Sequence, residues 1–485
     1  MSAELSLSLV VLTPLAGALL IMLTGSRPNL RESISIAAGV LLLLFVLSLL
    51  PRVLAGEWPY LVVAEPIPGL ALAFSAEPLG VLFGLIASFL WVVTTVYSIG
   101  YMRAHDEEHQ TRFYTFFAIA IGSAIGIAFA DNLLTLFLFY EILTLSTYPL
   151  VTHAGTPEAR QGGRTYLGVL MATSVGFLLL AVVWTWQLSG ESRFRVGGIL
   201  DGNASPLVVG ILFVLYVFGI GKAALMPIHR WLPAAMVAPT PVSALLHAVA
   251  VVKAGVFAIL KITVYIFGLD LLSDSGVTKW LLWVAAFTIV AASLVALRCD
   301  NLKARLAYST VSQLSYIVLG ALLVNATAIK GSALHIATHA FGKITLFFCA
   351  GAVLVATHKT KVSEMNGLGR QMPWTMAAFL LASLSIAGLP PFGGMWSKWY
   401  IALGAIDAGH AVLVAVLMLS TLLNIAYLMP VPIRAFFGSS ASKDRARLRE
   451  APWPCLVSIA VTVIMCVALF FSPTLVLELA GRLVN

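Results

Sequence analysis

The chain has 485 residues, 60% of them hydrophobic and 10% charged, with mean hydropathy +0.98 and formal charge +8. Soluble domains carry about 25% charged residues, so this composition excludes a water-soluble globular protein and defines a polytopic membrane protein, counted in spans of about 20 apolar residues. In such a chain Lys and Arg report orientation, and the positive balance is no sign of nucleic-acid binding.

Hydropathy predicts an all-α fold of fourteen helices, near 5–24, 33–54, 76–102, 113–130, 132–152, 164–188, 206–235, 240–267, 279–298, 304–324, 328–357, 373–404, 408–437 and 454–480. The first lacks a basic n-region and a small-residue cleavage site, and reads as a span and not a removed signal peptide. The seventh contains MPIHRWLP and the twelfth AGLPPFGG. Proline removes a backbone donor and clashes with the preceding turn, so both helices are expected to be broken.

Eighteen of the 29 Lys and Arg residues fall in loops after odd-numbered spans and six on the opposite side; the other five, Lys222, Lys253, Lys261, Lys343 and Lys398, lie within spans. By the positive-inside rule both termini are extracytoplasmic, which fits an even number of spans. The tract SSASKDRARLRE at 439–450 reads as a solvated cytoplasmic turn. Cys299, Cys349, Cys455 and Cys466 are scattered without a CxxC, which predicts no disulfide framework, zinc site or iron–sulfur set.

Charge inside the hydrocarbon costs about 3 kcal/mol per residue on insertion scales and usually marks a pathway. Glu141 stands mid-helix in LLTLFLFYEILTLSTYPL, and Lys222 just before the seventh-helix break. Lys253 follows His247 by six residues, which puts the two on different faces of the eighth helix. His247 is divided between packing and function, and Lys261 reads as a lysine snorkelling from the helix end. Lys398 follows the twelfth-helix break, so a break and a buried lysine coincide twice, five helices apart. That parallel suggests two inverted halves, the arrangement in which transporters place ion sites at broken helices. A buried lysine that meets and leaves a carboxylate binds and releases a proton, so Glu141 and Lys222 form a candidate switch if they lie close.

The stretch HIATHAFGK sets His335, His339 and Lys343 at i, i+4 and i+8. On a helix each step drifts only about 40°, so the three share one face over roughly 12 Å of axis. Zinc needs more ligands, and HIATH lacks the glutamate of HExxH; haem needs opposed histidines, which one face does not offer. No cofactor or metal is therefore expected. Imidazole takes a proton on one nitrogen and releases one from the other, and a hydrated proton wire is the simplest reading of the stripe.

FYEILTLSTYPLVTH, KAALMPIHRWLPAAMVAPTPVSALLHAVAVVKAGVF, NLKARLAYSTVSQLSYI, LHIATHAFGKITLFFCAG and GLPPFGGMWSKW resemble the proton-translocating antiporter-like family of complex I, membrane-bound hydrogenases and Mrp antiporters. The resemblance implies fourteen helices with two inverted five-helix repeats and a hydrated axis of charged residues. The expected division is an N-terminal three-helix segment at 1–112, half-channels at 113–267 and 279–437, and a cytoplasmic loop and last helix at 438–485. It further implies that Glu141 pairs with Lys222, that Lys253 and His247 are the eighth-helix groups, that His335, His339 and Lys343 form the eleventh-helix stripe, and that Lys398 ends the row. The motif APTPVSALLHAVAVVKAGVF and the chain length look most like the D-type component of Mrp antiporters, and a lysine at 398 departs from complex I members with glutamate there. The expected function is a proton-translocating subunit of a multisubunit Na⁺/H⁺ antiporter in a prokaryotic inner membrane, with other membrane subunits as partners. The alternative is a proton-pumping subunit of a redox complex whose electron chemistry lies in other subunits.

Overall fold

The computed structural model describes residues 2–67, 69–439 and 448–483, so most of the charged tract at 439–450 lies outside the described residues. In chain order the main helices are α1 (Ala3–Leu23), α2 (Pro28–Leu54), α3 (Pro78–Ala104), α4 (Gln110–Ala128), α5 (Leu133–Val151), α6 (Pro157–Ser189), α7 (Pro206–Gly219) and α8 (Thr240–Phe267). There follow α9 (Thr278–Arg298), α10 (Leu302–Leu322), α11 (Ala326–Thr357), α12 (Pro373–Ala387), α13 (Gly394–Asp407), α14 (Ala411–Phe437), α15 (Trp453–Phe471) and α16 (Thr474–Gly481). Among the described residues eleven helices are long and apolar enough to cross a membrane.

The seventh, tenth and twelfth expected spans fall outside that set, and the last differs in its extent, each for a physical reason. α12 is cut short at its predicted break, and α7 ends at Gly219, ahead of MPIHRWLP, so Lys222 falls in the broken segment and not before it. α10 is 21 residues long but carries Lys303, Arg305, Ser309, Ser312 and Gln313, a polar load suited to a helix buried in protein. The last expected span divides at Ser472 and Pro473 into α15 and α16, because proline cannot continue the donor ladder of the preceding turn. Hydropathy also passes over an antiparallel hairpin, β1 (Tyr60–Ile67) and β2 (Leu70–Ser75). Its second strand continues onto the α4–α5 connection through Ser75 N to Phe129 O at 2.7 Å and Asp131 N to Ala73 O at 3.0 Å.

Burial identifies the centre of the bundle. The apolar window of α8 is 100% buried within the protein and that of α11 83%, against 33% for α2, α6 and α14 on the rim. These two central helices carry most of the intramembrane charge. Gly255 lets α8 close onto the broken segment after α7: a Cβ there would sit 2.4 Å from the Ala223 nitrogen. Trp231 Nε1 donates to Gly221 O at 2.9 Å and ties that segment back on itself.

Candidate functional site

The core of the site is a chain of contacts across α8, α11 and α13. Lys253 Nζ lies 2.7 Å from Nδ1 of His339. One turn away the rings of His339 and His335 stack with centroids 5.7 Å apart. His335 Nδ1 lies 2.7 Å from the Ser397 hydroxyl, which also receives a hydrogen bond from Thr338 Oγ1 at 3.2 Å. Lys398 follows Ser397 in the chain and donates to Ala387 O at 3.0 Å, one of the free carbonyls at the end of α12. Tyr316 of α10 stacks on His335 at 5.6 Å and presents its ring to the Lys398 ammonium at 5.1 Å. Lys253, His335, His339 and Lys398 are thus joined, and all four are buried.

The break after α12 makes this geometry possible. Gly388 sits at φ +83°, and a Cβ on it would come within 2.7 Å of Lys398 Cδ, so glycine is needed both for the turn and for the passage of the lysine stem. Lys398 also borders a cavity of about 400 Å³ on the flank of the bundle, shared with Trp399 and Thr421.

Lys343 forms a branch. Its ammonium donates to Ser309 Oγ at 2.5 Å and Leu306 O at 3.3 Å, and Ser309 Oγ is 2.8 Å from Tyr427 OH on α14. His247 is fully buried with its ring 4.5 Å from that of Phe347, and neither ring nitrogen has a hydrogen-bond partner. Nε2 of His335 and of His339 are likewise unpartnered. Buried polar atoms in native proteins are almost always satisfied, by water where protein does not reach them. The open valences therefore mark where water would join the row.

Two expectations, the Glu141–Lys222 pair and the snorkelling of Lys261, come out differently. Lys222 is fully buried, but its ammonium donates to Tyr140 O at 2.8 Å and Thr144 Oγ1 at 2.6 Å and lies 3.1 Å from the Tyr140 ring centroid. It forms no ion pair with Glu141, whose two carboxylate oxygens are buried without a hydrogen-bond partner. The reason is helical phase. Tyr140 and Thr144 point into the bundle, while Glu141 shares the α5 face of Leu138, Ile142 and Leu145, which are 40–53% exposed. Lys261 does not snorkel. It is fully buried, 3.2 Å from Glu77 Oε1 and donating to Ala130 O at 2.7 Å. Glu77 caps α3 by accepting from Leu79 N and Gly80 N at 2.7 and 2.8 Å, and it accepts from Tyr265 OH at 3.0 Å. Hydropathy placed Glu77 at a helix end, and only the fold brings it to Lys261.

The charged residues alone left out the neutral members of the site: Ser309, Gln313, Tyr316 and Ser397. Gln313 is fully buried with both amide atoms unpartnered. It lies on α10 between Ser309, bonded to Lys343, and Tyr316, stacked on His335, which places it opposite His339. The i, i+4, i+7 spacing of Ser309, Gln313 and Tyr316 within an apolar span is a sequence signal that finds this face.

A multi-pass bundle with a buried row of lysines and histidines beside two broken helices defines the class: a proton-translocating, antiporter-like membrane subunit. The chain belongs to the NADH:quinone oxidoreductase/Mrp antiporter transmembrane family, whose sequence profile matches residues 130–424. It is 34% identical over 447 residues to NADH-quinone oxidoreductase subunit N of Desulforudis audaxviator, covering 90% of this chain and 87% of that one. It is 29% identical to hydrogenase-4 component B of Escherichia coli, across 84% of this chain and 64% of that longer protein. In fold it matches a chain of the Mrp complex from Dietzia sp. DQ12-45-1b with TM-score 0.89 at 21% identity, covering 100% of this chain and 97% of that chain. A chain of the archaeal membrane-bound sulfane sulfur reductase matches with TM-score 0.87 at 24% identity, across 99% of this chain and 98% of that one.

Proposed function

We propose that this chain relays protons within a multisubunit monovalent cation/H⁺ antiporter, in the role of the D-type Mrp component, with Na⁺ as the exchanged cation. The observation that carries the reading is the buried row in which Lys253 meets His339, His339 stacks on His335, His335 meets Ser397, and Lys398 stands next to Ser397 in the chain. Each imidazole can accept on one nitrogen and donate from the other, and the lysines at the ends bind or release the proton that arrives. Lys222 and Glu141 gate the row electrostatically: movement of the Lys222 ammonium from Tyr140 O toward the unpaired carboxylate changes the field at Lys253. On this reading the chain crosses the membrane fourteen times, 113–267 and 279–437 are inverted half-channels, both termini are extracytoplasmic, and the other subunits of the complex supply the cation path.

The 34% identity to an NADH-quinone oxidoreductase subunit favours a second reading, a proton-pumping subunit of a redox complex. The relay is the same, and the partners differ.

The test is expression of the whole gene cluster in an antiporter-deficient host, with inverted vesicles and a pH-sensitive dye. Collapse of a respiratory ΔpH on adding Na⁺, present in wild type and absent in an assembled Lys253→Ala complex, supports antiport through the row. No response to Na⁺ or other monovalent cations, with iron–sulfur proteins co-purifying, turns the assignment to the redox pump. Normal transport by Lys253→Ala removes the relay itself.

A further inference from the structure

The relay reaches neither face of the bundle by charged contacts alone, and the register of α8 on α11 marks where it comes nearest. The two helices are antiparallel and meet at three points: Gly351 against Thr240, Phe347 on His247 at 4.5 Å, and His339 on Lys253 at 2.7 Å. Thr240 and His247 are seven residues apart and share a face of α8. Both are fully buried; both His247 nitrogens are unpartnered, and the Thr240 hydroxyl faces the Tyr101 side chain. These buried polar atoms lead from the row to the first residue of α8.

Beyond Thr240 stands a titratable cluster built from several elements. Tyr101 of α3 lies beside Thr240. Glu107, in the α3–α4 loop, holds Oε1 3.3 Å from His105 Nδ1 and Oε2 3.9 Å from His153 Nε2, while that same His153 nitrogen donates to Glu108 O at 3.0 Å. Lys303, in the first turn of α10, donates to Ala238 O at 2.5 Å, two residues before Thr240, and lies within electrostatic reach of both Glu107 and His247. The Glu107 side chain is 16% exposed, so it touches water and protein at once. Burial pushes its carboxyl above the usual range, against the pull of His105 and Lys303.

We propose that Glu107 is the proton-collecting group at the mouth of an access path that runs past Lys303 and Thr240 to His247, and from there to the row at Lys343 and Lys253. The proposal rests on the relay reading and adds to it a site on the loop side. The competing account is that the contacts of His105, Glu107 and His153 only staple two loops together.

The experiment uses vesicles carrying the whole complex, assayed for the initial rate of cation-driven ΔpH collapse at low buffer capacity. Glu107→Gln is expected to slow transport by about tenfold, a deficit that added imidazole, a small mobile proton carrier, removes. Glu107→Asp keeps most of the rate, and Glu108→Gln, altered at the exposed neighbour, behaves as wild type. Thr240→Val, which keeps shape and loses the hydroxyl, also slows transport, and Thr240→Ser restores it; this pair decides the matter if Glu107→Gln does not assemble. A slow Glu107→Gln complex that imidazole does not rescue supports the staple and overturns the proposal. Wild-type rates in Glu107→Gln and Thr240→Val alongside a dead Lys253→Ala overturn the mouth and leave the relay standing. Normal transport by Lys253→Ala overturns the relay, and the mouth with it.

Discussion

Lys253 Nζ and His339 Nδ1 are 2.7 Å apart although 86 residues separate them in the chain. The contact joins two deeply buried helices of the bundle, and it fixes which histidine nitrogen faces a lysine and which stays open. Lys253→Ala removes the ammonium and leaves His339 without its partner. Transport in vesicles is expected to fall by about a hundredfold at unchanged levels of assembled complex. A loss explained by missing protein on an immunoblot fails this expectation.

Ser397 bridges His335 to the break that carries Lys398. Ser397→Ala strands His335 Nδ1 in a buried site, at a cost of about 1–3 kcal/mol. Transport slows by about tenfold, and Ser397→Thr, which keeps the hydroxyl, preserves it. Equal rates in the alanine and threonine variants remove Ser397 from the row.

Gly388 is held at φ +83° with no room for a Cβ beside Lys398. Gly388→Ala is expected to destabilise the α12–α13 turn by about 1–2 kcal/mol and to push the lysine stem aside. The check is the thermal midpoint of the purified complex together with its rate; a stable, fully active variant contradicts the packing.

Glu77 and Lys261 form a buried pair outside the proposed path. Glu77→Gln leaves a buried ammonium without its counter-charge, and loss of one partner of such a pair costs about 3–5 kcal/mol. The expected result is a lower yield of folded complex with transport per assembled complex nearly unchanged. A large loss per complex places Lys261 in the path after all.

His153 gives a pH prediction. Burial, helped by the Arg112 charge, lowers its pKa from 6.5 to about 4. The neutral ring therefore favours the folded state. Its contribution is complete above pH 6.5, and as pH falls toward 4 the unfolded chain takes up the proton first and stability declines. His153→Gln removes the titrating group, so the drop in thermal midpoint between neutral and mildly acidic pH is expected to be smaller than in wild type.

Much of the architecture was legible in the chain. Spans announce themselves because a membrane tolerates only long apolar helices, and both breaks were marked by proline and glycine. The hairpin at Tyr60–Ser75 was not, since short strands between spans leave no hydropathy signal. At the site, Lys253, His335, His339 and Lys398 were visible as charges out of place in an apolar run. Gln313 and Tyr316 carried only the weaker signal of a polar stripe with Ser309, and Ser397 none, because serine is common in helices and gains meaning only from what it faces.

By itself the sequence determined that this is a polytopic membrane protein and which titratable side chains stand within its spans. Periodicity along a single helix also put His335, His339 and Lys343 on one face. Tertiary structure alone decided partnership between helices. It set Lys253 on His339, bonded Lys222 to Tyr140 and Thr144 with Glu141 in electrostatic reach but not in an ion pair, and buried Lys261 against Glu77. The reason is geometric: the period of a helix fixes the direction of each side chain about its own axis, but which neighbour stands there depends on how distant helices pack.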